Sequence, residues 1–303
     1  MSALKHEFTW KIPAPPARVF AALTNAEDLQ GWFAEHAEVE PRVGGAYRFW
    51  GKHTLGTPTA AGADGEITRF ELGKAVAYTW RIEDRDSEVS FSIEADPENA
   101  EASIVKGEHS FAEAPAINRA KEMIDDLWRF NWGNFSAHLA GGKGKLLVDY
   151  GAKNPDVTLS IYIDAPPSAV FRTLIDPEKI QQWFGVAAAV DPRLGGAWHL
   201  KMEFEKDGQK VTSPPCKILD FVENERLAIS WPDWRGDKTV PDQRVLWMLK
   251  PEGAGTRVEF VHDGFVRAVD VSDYPFGWGW FLSRITTVAE GKSLDAPAGH
   301  EQC

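Results

Sequence analysis

Phe8, Trp10 and Ile12 alternate with polar residues, which predicts a first strand with one buried face. Pro15-Pro16 follows, and Val19, Phe20 and Leu23 then recur at the spacing of a short amphipathic helix. Asn25 is a favourable N-cap for a second short helix that carries Leu29, Trp32 and Phe33 inward. Beyond it the period falls to two. Tyr47 and Phe49 share a face, and strands are expected around Ile67, through Val76, Tyr78 and Trp80, through Val89, Phe91 and Ile93, and from Ile104 to His109. Gly44-Gly45, between short extended runs, has the composition of a tight hairpin turn. An apolar stripe on Ile117, Ile124, Leu127, Trp128, Phe135 and Leu139 predicts a long closing helix.

The same order then returns. Residues 163–198 lie on residues 12–47 at a constant offset of 151, without a gap, and half of the positions are identical. The offset carries Ile67 onto Ile218, Phe70 onto Phe221 and Trp80 onto Trp231. In the second copy Leu159, Ile161 and Ile163 form the first strand. Val170, Phe171 and Leu174 mark the first helix, and Asp176-Pro177 opens the second, which carries Ile180, Trp183 and Phe184 inward. After Gly195-Gly196, one continuous strand is expected with Trp198, Leu200, Met202 and Phe204 on one face and His199, Lys201, Glu203 and Glu205 on the other. Strands through Leu227, Ile229 and Trp231, through Val245, Trp247 and Leu249, and from Val258 to His262 lead to a helix on Trp278, Phe281, Ile285 and Val288.

A repeat this long means two domains of one fold, not a solenoid. The class is α+β, with a curved antiparallel sheet in each half covered by its long C-terminal helix and a pocket expected between that helix and the short ones. The expected division is a first domain at 1–140, a Gly- and Lys-rich linker at 141–156, a second domain at 157–291 and a loose tail at 292–303.

Composition sharpens this picture. Among 303 residues, 13 Trp and 17 Phe make the cores unusually aromatic, and a formal charge of -12 disfavours nucleic acid and anionic membrane surfaces as partners. Cys216 and Cys303 alone cannot make a stabilising disulfide framework. MSALKHEFTW lacks the apolar centre of a signal peptide, and no run is long enough to span a bilayer, so the cytoplasm is the expected location.

The pieces APPxxVFxxL, WF and PRxGGAxxx, with His262-Asp263-Gly264-Phe265 and Gly277-Trp278-Gly279-Trp280, resemble the activator-of-heat-shock-ATPase homologues of the START-like SRPBCC superfamily. The resemblance covers nearly the whole chain, twice. It implies the helix-grip fold and a hydrophobic cavity for small apolar or aromatic molecules. Members of the superfamily include lipid carriers, hormone receptors, cyclases, hydrolases and co-chaperones.

Candidate chemistry centres on two histidines. His262 shares a strand face with Val258 and Phe260, and His109 is its counterpart after Val105 and Gly107. A histidine on an apolar wall can move a proton near neutral pH, or it can be a core residue bonded to its surroundings. Gly107 in place of Phe260 is expected to widen the first pocket. Trp32, Tyr47, Trp80, Trp128, Trp132, Trp183, Trp198, Trp231, Trp247, Phe260, Trp278 and Trp280 are the candidate ligand-binding residues, since aromatic rings stack on flat ligands and indole N–H groups anchor one polar atom. No metal or cofactor is expected, because the eight His have no ligand spacing. Cys216 lacks an evident base, and Asp233 and Arg235 form a polar loop near one strand end.

Three functions follow. The first is binding of a small hydrophobic or aromatic molecule. The second is cyclase, hydrolase or lyase chemistry with His109 or His262 as acid–base. The third is a chaperone-interaction module, disfavoured because the chain opens directly on the repeat. The residues leave catalysis and binding both open. The two copies are expected to be inequivalent, and the chain to be a monomer or weak dimer.

Overall fold

The computed structural model describes residues 3–82, 85–116, 120–142, 148–206, 209–232, 240–271 and 274–294, with backbone alone at 204–206, 209–211 and 269. Ile117, the Phe204 and Glu205 side chains, Asp233, Arg235, Cys303 and most of the expected C-terminal tail lie outside the described residues. The chain forms two compact units: the first holds the described residues up to Lys153 together with those at 268–271, and the second holds those from Asn154 to Arg267 and from Tyr274 onward.

Unit 1 runs β1 (Leu4–Ile12), α1 (Pro16–Thr24), α2 (Ala26–Trp32), β2 (His36–Val39), β3 (Tyr47–Trp50), β4 (Ile67–Glu71), β5 (Ala75–Ile82), β6 (Arg85–Asp96), β7 (Asn99–Phe111) and α3 (Ala120–Leu139). Its main sheet has the order β1-β7-β6-β5-β4, antiparallel throughout, and a bridge from Ala46 to Glu66 joins it to the β2-β3 ribbon. Unit 2 runs β8 (Val157–Ile163), α4 (Pro167–Ile175), α5 (Pro177–Phe184), β9 (Ala188–Val190), β10 (Ala197–Leu200), β11 (Glu203–Lys206), β12 (Gln209–Thr212), β13 (Cys216–Val222), β14 (Arg226–Trp231), β15 (Gln243–Glu252), β16 (Gly255–Asp263) and α6 (Tyr274–Ala289). Here one sheet holds the full series β8-β16-β15-β14-β13-β10-β9.

Local chemistry explains why the repeats fold alike. Asn25 and Asp176 each accept backbone N–H bonds in the first turn of the helix they cap, and Pro16 and Pro167 open α1 and α4 where a missing N–H costs nothing. The sheets bend at equivalent bulges, between Ile67 and Arg69 and between Ile218 and Asp220. Trp32 donates to the Ala22 carbonyl (3.0 Å) and Tyr47 to that of Leu23 (2.7 Å), which satisfies two otherwise orphaned groups in the last turn of α1. Trp183 and Trp198 do the same for Thr173 and Leu174 at the end of α4 (2.9 and 2.8 Å). Four of the most recognisable aromatics of the repeat therefore terminate helices.

Three expectations are corrected. The Gly-Gly segment is not a tight two-residue turn: residues 40–46 loop between β2 and β3. Gly44 takes φ +71°, and a Cβ on Gly45 would sit 2.3 Å from the Glu40 carbonyl oxygen, so the first glycine supplies a conformation and the second a close approach. The strand from Trp198 to Phe204 breaks after Leu200, and β11 pairs instead with β12 in a separate ribbon. Part of the expected linker is also packed: Val148 is buried, and Tyr150 donates its backbone N–H to the Lys52 carbonyl within unit 1 (2.9 Å).

Gly107 does not widen the first interior. Phe8, its cross-strand partner, lays its ring where a Cβ would stand, 2.2 Å from that position, and reaches Trp128 at 5.0 Å between ring centres. In unit 2 the same pairing is Leu159 with Phe260, and Phe260 reaches Trp278 at 4.6 Å. The aromatic ring has changed strands and the volume is conserved. Gly107→Phe alone should overpack unit 1 and destabilise it by about 1–3 kcal/mol, and adding Phe8→Leu should recover most of the loss in urea unfolding. Independent, additive costs would contradict the exchange.

Candidate functional site

Strand alternation turns His109 on β7 and His262 on β16 toward the long helix of their own unit, as the sequence implied, and both are fully buried. Trp128 of α3 donates its indole N–H to Nδ1 of His109 (3.0 Å), and Trp278 of α6 donates to Nδ1 of His262 (2.9 Å). An indole only donates, so Nδ1 is the acceptor and the proton of the neutral ring sits on Nε2. From there His109 donates to Ser87 Oγ (2.9 Å), and Ser87 donates on to the Trp80 carbonyl. His262 donates to Gln243 Oε1 (3.0 Å). Burial holds both imidazoles down at a pKa of about 3. Each ring is neutral at physiological pH with both nitrogens committed, an arrangement that fastens helix to sheet and leaves no lone pair for a substrate proton.

The other candidates mostly serve the core. Trp32, Tyr47, Trp183 and Trp198 bond to helix carbonyls, as above. Trp231 donates to Tyr274 Oη (3.2 Å), while Trp247 and Phe260 are fully buried beside Trp278. Trp132 packs half-buried against the first core, and Trp280 lies half-buried with the Arg284 guanidinium 4.6 Å from its ring centre. Cys216 is buried at the start of β13, and burial pushes its thiol up to about 12, far from a nucleophile. His199 bonds to the Ser213 carbonyl (2.7 Å).

Trp80 is different. It lines a small, partly open cavity in unit 1 together with Phe33, His53, Thr54, Leu55, Leu127, Phe130, Asn131, Val148 and Tyr150. The free volume is about 10 Å³, room for one water. The roomy pocket expected between the helices is therefore closed down, because aromatic side chains and the segment 148–150 fill it. Trp80 Nε1 and Thr54 Oγ1 are both buried and without a hydrogen-bond partner among the described residues. Such groups cost about 1–3 kcal/mol each when left unpaired, so the cavity keeps an open demand for a polar atom. Asn131 adds a carboxamide whose nitrogen donates to the Leu127 carbonyl (2.9 Å).

Apart from Trp80, none of the lining residues is among the candidates that the sequence offers. His53, Thr54 and Leu55 follow β3 in a loop without periodicity, and Val148 and Tyr150 sit in a stretch that reads as a spacer. Leu127 and Phe33 were legible only as core positions. Counted from the equivalent Trp128 and Trp278, unit 2 replaces Leu127 by Gly277, Phe130 by Trp280 and Asn131 by Phe281. Phe281 stacks on Phe184, the counterpart of Phe33, at 4.5 Å and 7°. A ring pair stands in unit 2 where unit 1 has a carboxamide and a void.

The family model described as "Activator of Hsp90 ATPase homolog 1-like protein" matches residues 13–140 and again 164–290. Among solved structures, the AHSA1-like protein RHE_CH02687 from Rhizobium etli is 30% identical over 49% of this chain and 90% of its own, with a TM-score of 0.38. CalU16 from Micromonospora echinospora is 26% identical over 48% of this chain and 78% of its own, with a TM-score of 0.37. DynU16, titled a putative protein in the dynemicin biosynthetic locus, is 16% identical and covers 94% of this chain and 98% of its own, with a TM-score of 0.39. A search of curated proteins gives no significant match. Among the described residues no helix is long and apolar enough to cross a membrane. With the family model matched across both repeats, the chain belongs to the Activator of Hsp90 ATPase homolog 1-like family and carries its domain twice.

Proposed function

We propose that the protein binds a small, neutral, mainly aromatic molecule in unit 1, with Trp80 Nε1–H and Thr54 Oγ1 as its polar anchors. The observation that supports this most is that two residues lining one aromatic cavity, Trp80 and Thr54, each carry a buried polar atom without a partner among the described residues. The lining contains no Lys, Arg, Asp or Glu, so a charged guest would lose its hydration without compensation. An acceptor such as a carbonyl oxygen recovers the cost of the idle indole N–H, and the rings of Phe33 and Phe130 supply flat apolar contact.

Binding is favoured over acid–base catalysis because His109 and His262 have no free nitrogen. Their part is to hold the scaffold. Unit 1 is favoured over unit 2 because Phe281 and Phe184 occupy the matching space.

Native mass spectrometry of freshly purified protein should show one small molecule per chain, and calorimetry with the released compound should give one site. Two equal sites would contradict the assignment to unit 1. Protein that carries nothing and takes up nothing from a panel of neutral aryl ketones, phenols and quinones would contradict the function.

A further inference from the structure

We propose that Tyr150 is a tethered plug of the unit 1 cavity, its ring standing where the ring of a bound aryl carbonyl compound sits, so that ligand binding displaces the chain segment that leaves the first repeat. This deepens the ligand-site reading above and rests on it.

The segment is built as a strap. His53 Nδ1–H donates to the Val148 carbonyl (3.0 Å), and the Tyr150 backbone N–H donates to the Lys52 carbonyl (2.9 Å). Lys52 Nζ and the Asp149 carboxylate face each other at 3.7 Å, both largely exposed. The receiving loop is itself anchored, because Glu35 Oε2 accepts the Lys52 backbone N–H (2.9 Å) and Glu35 Oε1 lies 3.6 Å from His53 Nε2. Gly51 permits that anchoring: its φ is +132°, and a Cβ there would meet the Glu35 side chain at 2.3 Å. The loop is thus fixed firmly to unit 1, while the strap is fixed to the loop by two hydrogen bonds and a weak surface ion pair.

What the strap covers is unfinished. Val148 is buried and Tyr150 partly so, and both line the cavity whose indole N–H and threonine hydroxyl remain unpaired. A tyrosine ring replaces the apolar part of a ligand and leaves the polar demand unmet. A ring that also carries an acceptor satisfies both, which is the differential interaction a ligand needs to shift the strap outward. With the strap closed the cavity has room for only one water, so ring-sized guests must compete with Tyr150. The apparent affinity of the wild-type chain is then the intrinsic affinity reduced by the open fraction.

Acetophenone, one ring with one carbonyl acceptor, is a suitable probe for the full chain. Tyr150→Ala should bind it at least tenfold more tightly than wild type, and His53→Ala, which removes one strap bond and leaves the ring, several-fold more tightly. Tyr150→Phe, which keeps the ring, should stay close to wild type. Trp80→Phe in the Tyr150→Ala background should lose most of the gain. Saturating wild type with acetophenone should speed hydrogen exchange at the Tyr150 amide. Equal affinity in wild type, Tyr150→Ala and His53→Ala, still sensitive to Trp80→Phe, would overturn the plug and leave the ligand site standing. Absence of binding in all five chains, or binding indifferent to Trp80, would overturn both. If Tyr150→Ala fails to fold, His53→Ala and the exchange measurement decide between the same outcomes.

Discussion

Lowering the pH from 7.5 to 4.5 should destabilise each unit steeply, and the buried histidines should account for much of the slope. His109 and His262 are held near pKa 3 by burial, against about 6.5 for an exposed imidazole. Below pH 6.5 the unfolded chain takes up a proton that the folded chain refuses, so the unfolded state gains. The stability is fully present above the unfolded pKa and is lost as the pH falls toward the folded one. The loss is about 1.4 kcal/mol per histidine for each pH unit below 6.5, or about 3 kcal/mol per unit of the protein by pH 4.5. Carboxylates add their own acid sensitivity, so the measurement is a difference. A glutamine can accept from the indole through its oxygen and donate from its nitrogen without titrating. His109→Gln and His262→Gln should be less stable at neutral pH but show a flatter decline in urea midpoint on acidification. Parallel slopes for wild type and variants would mean that the imidazoles are not held neutral.

The second large effect concerns the helix side of the same bonds. Trp278→Ala should cost unit 2 more than about 4 kcal/mol, because it empties a ring-sized volume and strips Nδ1 of His262 of its donor. Trp278→Phe retains most of the buried area and should cost only about 1–3 kcal/mol, the price of the unpaired nitrogen. Trp128→Ala and Trp128→Phe should behave in the same way in unit 1. The contrast is readable by urea unfolding followed through hydrogen exchange of β7 and β16. If phenylalanine were as damaging as alanine, the indole N–H rather than packing would dominate; if it cost nothing, the bond to histidine would contribute nothing.

These pairs show how far the sequence could be read. Alternation placed His109 and His262 on the inward face correctly, because strand geometry fixes direction within a few residues. It could not show their partners, since Trp128 and Trp278 lie 19 and 16 residues away on another element and the hydrogen bond exists only after the helix docks. The duplication, the element order and the helix caps were legible, because each rests on local spacing or on self-similarity. Gly107 was read as empty space because its compensating ring, Phe8, sits across the sheet on a strand 99 positions earlier in the chain. The strand expected from Trp198 to Phe204 was continuous in pattern, yet pairing moved β11 to another ribbon after Leu200, a choice made by partners and not by alternation. The cavity was the least visible feature. Its polar anchors, Trp80 and Thr54, come from a strand and an aperiodic loop, and its cover comes from a segment whose composition suggests a spacer.

In the function proposed above, a small aryl carbonyl compound engages the unsatisfied indole N–H of Trp80 in unit 1. The side-chain indole region of a nitrogen–proton correlation spectrum, with the Trp80 resonance assigned by Trp80→Phe, tests it directly. On titration of acetophenone into the full chain, the Trp80 resonance should move downfield and saturate, while those of Trp128 and Trp278, already bonded to histidine, stay nearly still. A Trp80 resonance that does not move while the others shift would contradict the account.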